Sequence, residues 1–181
     1  QSPKTIDAPM WAAIIISPSP LVSSASRPAN PLVRSSACPT AGATPPGSAS
    51  AISFVGDIST PSNVAFVANL AVLVASWGGQ ISISGFRMSS AATHCAYASA
   101  HGRINFTNIV DFNACPVAHN QANVTGVIVF NTGYVVTGNS AAHLYASMNG
   151  SIEQNAGTVT SPGVPSIGTF ATAIDGGALL S

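Results

Sequence analysis

The chain has 181 residues, of which only five are basic and five acidic, so that 6% are charged and the formal net charge is zero. An isolated domain usually carries about a quarter charged residues, and charge keeps exposed surfaces apart. The composition therefore predicts an exterior largely covered by other molecules. It excludes an electrostatic grip on nucleic acid or acidic lipid. The longest apolar stretch, from Val64 to Ala75, is interrupted by Asn69 and falls short of the ~20 residues of a helical membrane span. With Gln1 first and no basic segment ahead of an apolar one, the chain reads as the product of processing.

In chain order, residues 1–50 hold most of the prolines, interleaved with Ser and Ala. This rules out a long helix or a central strand. The same segment carries Trp11, Ile14, Ile15 and Ile16, apolar residues that a solvated linker would lack. It is expected to be an extended arm that packs on neighbours. Thr60-Pro61 is a helix-start signal and Gly78-Gly79 a stop, and the apolar positions between them fall on helical faces, with Phe66, Leu70 and Trp77 on one of them. A short buried helix over 64–76 is predicted, with a strand as the alternative that its β-branched content leaves open. Strands are predicted at 51–56, 80–84, 93–99, 103–110, 123–131, 134–137, 142–147 and 168–174, with turn chemistry at Gly138-Asn139, Asn149-Gly150 and Asp175-Gly176. Ile52 and Phe54 share one strand face, as do Ile81 and Ile83.

Chemistry-bearing groups form no recognised motif. Cys38, Cys95 and Cys115 lack zinc or redox spacing and read as small buried residues, with a Cys95–Cys115 disulfide as the alternative. The acids are scattered, and Asp57 and Asp175 sit in turns. His94, His101, His119 and His143 lack a fixed-offset partner and read as buried or interface groups whose protonation near pH 6 would loosen an assembly. The sequons at Asn105, Asn123 and Asn149 are expected to be unused. No phosphate loop, nucleophile elbow or repeated period is apparent. Accordingly no catalytic residue, metal site or cofactor is assigned.

The run Pro61-Ser62-Asn63, an apolar segment, Trp77-Gly78-Gly79 and then a strand from Gln80 resembles the small jelly-roll coat proteins of picornavirus-like plant viruses (comovirus, fabavirus and cheravirus types). The resemblance spans residues 50 to 175 and implies an all-β, eight-stranded jelly-roll β-sandwich over 51–181, with one or two short helices and an extended N-terminal arm over 1–50. It implies a structural, non-enzymatic capsid subunit of an icosahedral positive-strand RNA virus, assembled in the host cytoplasm into virions. Copies of itself and sister coat proteins would be its partners, the packaged RNA would be held weakly, and no membrane would be bound. Assembly contacts would fall on Trp11, Ile14, Ile15, Ile16, Phe66, Leu70 and Trp77. The alternative is a secreted carbohydrate- or surface-binding β-sandwich, adhesin-like, in which Trp11, Trp77, Tyr97, Tyr134 or Tyr145 offers stacking faces to sugar rings.

Overall fold

The structure is a computed structural model that describes residues 51–181 together with two earlier strands, Lys4–Asp7 and Ile14–Ile16. Its strands come in sets of three. The first set is β1 (Lys4–Asp7), β2 (Ile14–Ile16) and β3 (Ala51–Val55); the second is β4 (Val64–Ala68), β5 (Leu73–Ala75) and β6 (Gln80–Ser84). The third is β7 (Arg87–Ser90), β8 (His94–Ala98) and β9 (Arg103–Phe106); the fourth is β10 (Asp111–Phe112), β11 (Ala118–Ala122) and β12 (Val127–Phe130). The fifth is β13 (Tyr134–Val136), β14 (Ser140–Ala146) and β15 (Ser151–Gln154); the sixth is β16 (Val159–Thr160), β17 (Ile167–Ala173) and β18 (Ala178–Leu180).

Every strand pairs in parallel with the strand three places along, giving three 6-stranded sheets ordered β1-β4-β7-β10-β13-β16, β2-β5-β8-β11-β14-β17 and β3-β6-β9-β12-β15-β18. Each set is thus one rung of a coil, and the coil is a parallel β-solenoid. This overturns the jelly-roll expectation, because a jelly roll is built from antiparallel strands. The repeat missed in the sequence is about one rung, 24 residues, the separation of the hydrogen-bonded pairs Arg87–Asp111, His101–Thr125 and His119–His143.

The core lies inside the coil and is made of side-chain columns that run from rung to rung. In the third sheet Ile52, Ile81, Ile104, Ile128, Ile152 and Leu179 are in register, and beside them Phe54, Ile83, Phe106 and Phe130. The Phe106 and Phe130 rings stack at 4.7 Å. In the first sheet Phe66, Met88, Phe112 and Val136 form the facing column. Ile81 and Ile83, fully buried, share the inward face, and Ile52 and Phe54 stand in register with them on the first rung, where Ile52 is exposed and Phe54 half-buried. A disulfide joins Cys95 in the third rung to Cys115 in the fourth, with Cα atoms 5.6 Å apart and both residues fully buried. Cys95 and Cys115 are thus both buried and bonded, and Cys38 lies outside the described residues.

The predicted helix over 64–76 is also corrected. Pro61–Asn63 makes a single 3-10 turn, and the chain then extends as β4 and β5. The Thr60 side chain caps nothing. Instead the Asp57 carboxylate accepts bonds from the Ser59 and Thr60 amides at 3.0 Å, the Ser59 hydroxyl at 2.6 Å and the Asn63 amide at 2.9 Å. Those bonds, the Ser59 hydroxyl first, hold its pKa down at about 2. Beyond the turn, Val64-Ala-Phe-Val-Ala68 places Phe66 against the inner Phe86 ring at 4.3 Å, and a strand built from β-branched residues satisfies its backbone on both neighbours.

The corner between the second and third sheets repeats most strictly. It is carried by Ala75-Ser-Trp-Gly-Gly79, Ala98-Ser-Ala-His-Gly102, Ala122-Asn-Val-Thr-Gly126, Ala146-Ser-Met-Asn-Gly150 and Ala173-Ile-Asp-Gly-Gly177. In each, the two residues before the final glycine have positive φ, among them Ala100 at 46°, His101 at 64°, Val124 at 45° and Thr125 at 60°. The final glycine amide closes the turn on the carbonyl three residues back. A Cβ on Gly102, Gly126, Gly150 or Gly177 would overlap the alanine carbonyl of the rung before it, Ala75, Ala98, Ala122 or Ala146. Stacking at about 4.8 Å leaves no room for a side chain there.

Candidate functional site

The second sheet differs from the other two in electrostatics. The described strands of the first sheet include Arg87 and Asp111, and those of the third include Arg103 and Glu153. None of β5, β8, β11, β14 and β17 contains an acid, a lysine or an arginine. Ala75, Ala96, Ala98, Ala122 and Ala146 are fully buried, so they form its inner face. The alternate positions Val74, Tyr97, Gln121, Tyr145 and Thr172 stand in register on the outer one, each half-buried. Rungs about 4.8 Å apart place Tyr97 and Tyr145 about 9.6 Å apart, with Gln121 between them.

Gln121 is held in position. Its Oε1 lies 2.6 Å from Nε2 of His94, whose ring is 5.3 Å from that of Tyr97. Burial lowers the His94 pKa and the Gln121 bond partly offsets that, so the ring is neutral at pH 7 and Nε2 donates. The Gln121 carbonyl is thereby occupied, and its NH2 group supplies two donors. Beyond His94, its column continues with the buried Ala118, the half-buried Ala142 and the exposed Thr169. At the adjoining corner Trp77, Val124 and Met148 are 67%, 46% and 52% exposed.

Two other polar groups have structural roles. Asp111, 4% exposed, accepts from Arg87 Nε at 2.6 Å and from the Thr137 hydroxyl at 2.6 Å, which uses both carboxylate oxygens. Inside the coil His119 Nδ1 lies 2.8 Å from His143 Nδ1, and His143 Nε2 lies 2.9 Å from the Tyr134 hydroxyl. Burial drives the pKa of His119 down to about 4 and that of His143 to about 3, the latter also lowered by His119, and it raises that of Tyr134. These two histidines are core groups that stay neutral at pH 6, which corrects the expectation that they charge there. Among the described residues no three His, Cys, Asp or Glu groups gather as metal ligands, and no helix is long and apolar enough to cross a membrane.

The residues expected to make assembly contacts are not brought together as one surface. Phe66 packs on the core, Leu70 and Trp77 are exposed, and Ile14–Ile16 forms β2, paired to β5. Trp11 lies outside the described residues. Of the tyrosines named as sugar-stacking faces, Tyr134 is buried, whereas Tyr97 and Tyr145 share the outer column. Sequence reasoning missed Gln121 as part of that column and His94 as the group that positions it. The recurrence of Ala-x-x-x-Gly with Tyr97, Gln121 and Tyr145 each one residue ahead of it would have aligned them.

The molecule is thus defined as a parallel β-solenoid with an uncharged aromatic and amide column on one face. No family model, curated protein or solved structure matches the chain.

Proposed function

We propose that this chain is a non-catalytic binding module that works outside the cytosol and attaches to an uncharged surface through the outer face of its second sheet. The observation that carries this reading is the register of Tyr97, Gln121 and Tyr145 on the one sheet whose described strands lack ionised side chains. Tyrosines with an apolar body and a polar tip suit half-wet contacts, and a rigid ladder presents them without an ordering cost at binding. The Cys95–Cys115 disulfide fits maturation in an oxidising compartment. The coat-subunit expectation drew on a jelly-roll order of parts and on the scarcity of charge, and the solenoid removes the first of these grounds.

The test is retention of labelled protein on particles of cell-wall polysaccharide. Binding is expected to persist in about 1 M salt, where surface charge interactions are screened, and to be lost in a Tyr97→Ala/Tyr145→Ala double variant whose circular dichroism is unchanged. Retention by the double variant equal to that of the parent would reject this face as the site.

A further inference from the structure

We propose that the ligand of this face is an extended, neutral glycan strand lying along the stacking axis, with two sugars seated on Tyr97 and Tyr145 and the stretch between them hydrogen-bonded by Gln121. The inference rests on the surface-binding reading above and assigns its ligand class. Tyr97 and Tyr145 are separated by two rungs, about 9.6 Å, and Gln121 fills the position between them. Two rings that far apart cannot clasp one small molecule between their faces. They can each carry a separate unit of a polymer.

Three further observations select the polymer. No acid, lysine or arginine lies in the described strands of this sheet, which removes the groups that would recognise an acidic glycan, a phosphate backbone or a polyamine. The donors presented are neutral: the Gln121 NH2, fixed because His94 occupies its carbonyl, and the Tyr97 and Tyr145 hydroxyls, for which no partner is seen among the described residues. Neutral donors beside aromatic faces match hydroxyl-rich rings whose C–H surfaces are apolar. The half-buried Ala142, in register between the buried Ala118 and the exposed Thr169, adds no bulk beside Tyr145, so that an extended chain can lie against its ring.

Calorimetric titration of the full chain with neutral oligosaccharides of increasing length (β-1,4-glucan, β-1,3-glucan, β-mannan and chitin types), and with oligogalacturonate, tests this. At least one neutral hexasaccharide should bind about tenfold or more tightly than its disaccharide, with no loss in salt. Tyr97→Ala and Tyr145→Ala should each weaken it about tenfold, about 1.4 kcal/mol, Gln121→Ala should weaken it less, and Tyr145→Phe should retain most of it. Binding only to oligogalacturonate, an affinity independent of length, or no binding to any neutral hexasaccharide overturns the inference. If particles are still retained through Tyr97 and Tyr145 while every oligosaccharide fails, the glycan assignment falls and the binding module stands. Sedimentation equilibrium covers the competing occupant: a dimer abolished by Tyr145→Ala would assign the face to a second copy of the chain.

Discussion

At the scale of single residues, the corner glycines and the buried histidines have the most testable consequences. Gly126 stands where any Cβ would meet the Ala98 carbonyl. Gly126→Ala is therefore expected to destabilise the fold by about 1–3 kcal/mol, read as a lower urea midpoint, and a midpoint equal to the parent's would disprove the close stacking. Arg87→Ala removes a 2.6 Å bond to the nearly buried Asp111 carboxylate and should cost about 2 kcal/mol in the same assay. The histidines set the response to acid. In the unfolded chain they take up protons near the ordinary value of 6.5, but in the folded chain His119 does so at about 4 and His143 at about 3. Between those limits the unfolded state binds more protons, so stability present above pH 6.5 is lost as pH falls toward 3. A loss on the order of 6 kcal/mol between pH 7 and pH 4, about 3 from each histidine, is expected from urea titrations. The slope should flatten in His143→Phe, a ring that suits a site already lined by Phe112 and Phe170.

At the scale of elements, the Cys95–Cys115 bond clamps the third rung to the fourth across a sequence separation of 20. Closing a loop of that size contributes about 3 kcal/mol. A Cys95→Ala/Cys115→Ala double variant should unfold at lower urea by that amount, and alkylation of the denatured parent should leave both cysteines unlabelled until a reductant is added. The segment from Val64 to Ala75 shows how neighbours decide an element. Its spacing satisfies a helix, but its backbone groups pair with the strands of adjacent rungs and Phe66 finds the ring of Phe86. A lone helix offers neither.

At the scale of the whole molecule, a solenoid is nearly one-dimensional, each rung contacting only the next. Stability should therefore be graded along the stack. The third to fifth rungs hold most of the fully buried side chains, whereas in the sixth Phe170, Ile174 and Leu180 are 52%, 41% and 54% exposed. Hydrogen exchange followed by mass spectrometry should find the slowest amides in β8, β11 and β12 and the fastest among the ladder strands in β17 and β18. Uniform protection from β5 to β18 would contradict a rung-by-rung stack.

Much of the local structure was legible in the residues themselves: the all-β class, the shared strand faces of Ile52/Phe54 and of Ile81/Ile83, and the Asp57 turn. The strands left out were those without a clean alternating pattern, such as β7 (RMSS) and β11 (AHNQA), which are strands because hydrogen bonds from both adjacent rungs hold them extended. With those gone, the remaining strands and the gaps between them suggested a sandwich, and the recurrence of Ala-x-x-x-Gly went unread. Sequence by itself determined which side chains are apolar and that alternating segments such as Gln80–Ser84 are extended, because both follow from neighbours along the chain. Parallel stacking, the disulfide, the low-pKa histidines and the line of Tyr97, Gln121 and Tyr145 were decided by the tertiary structure, because each depends on residues a full turn of the coil apart.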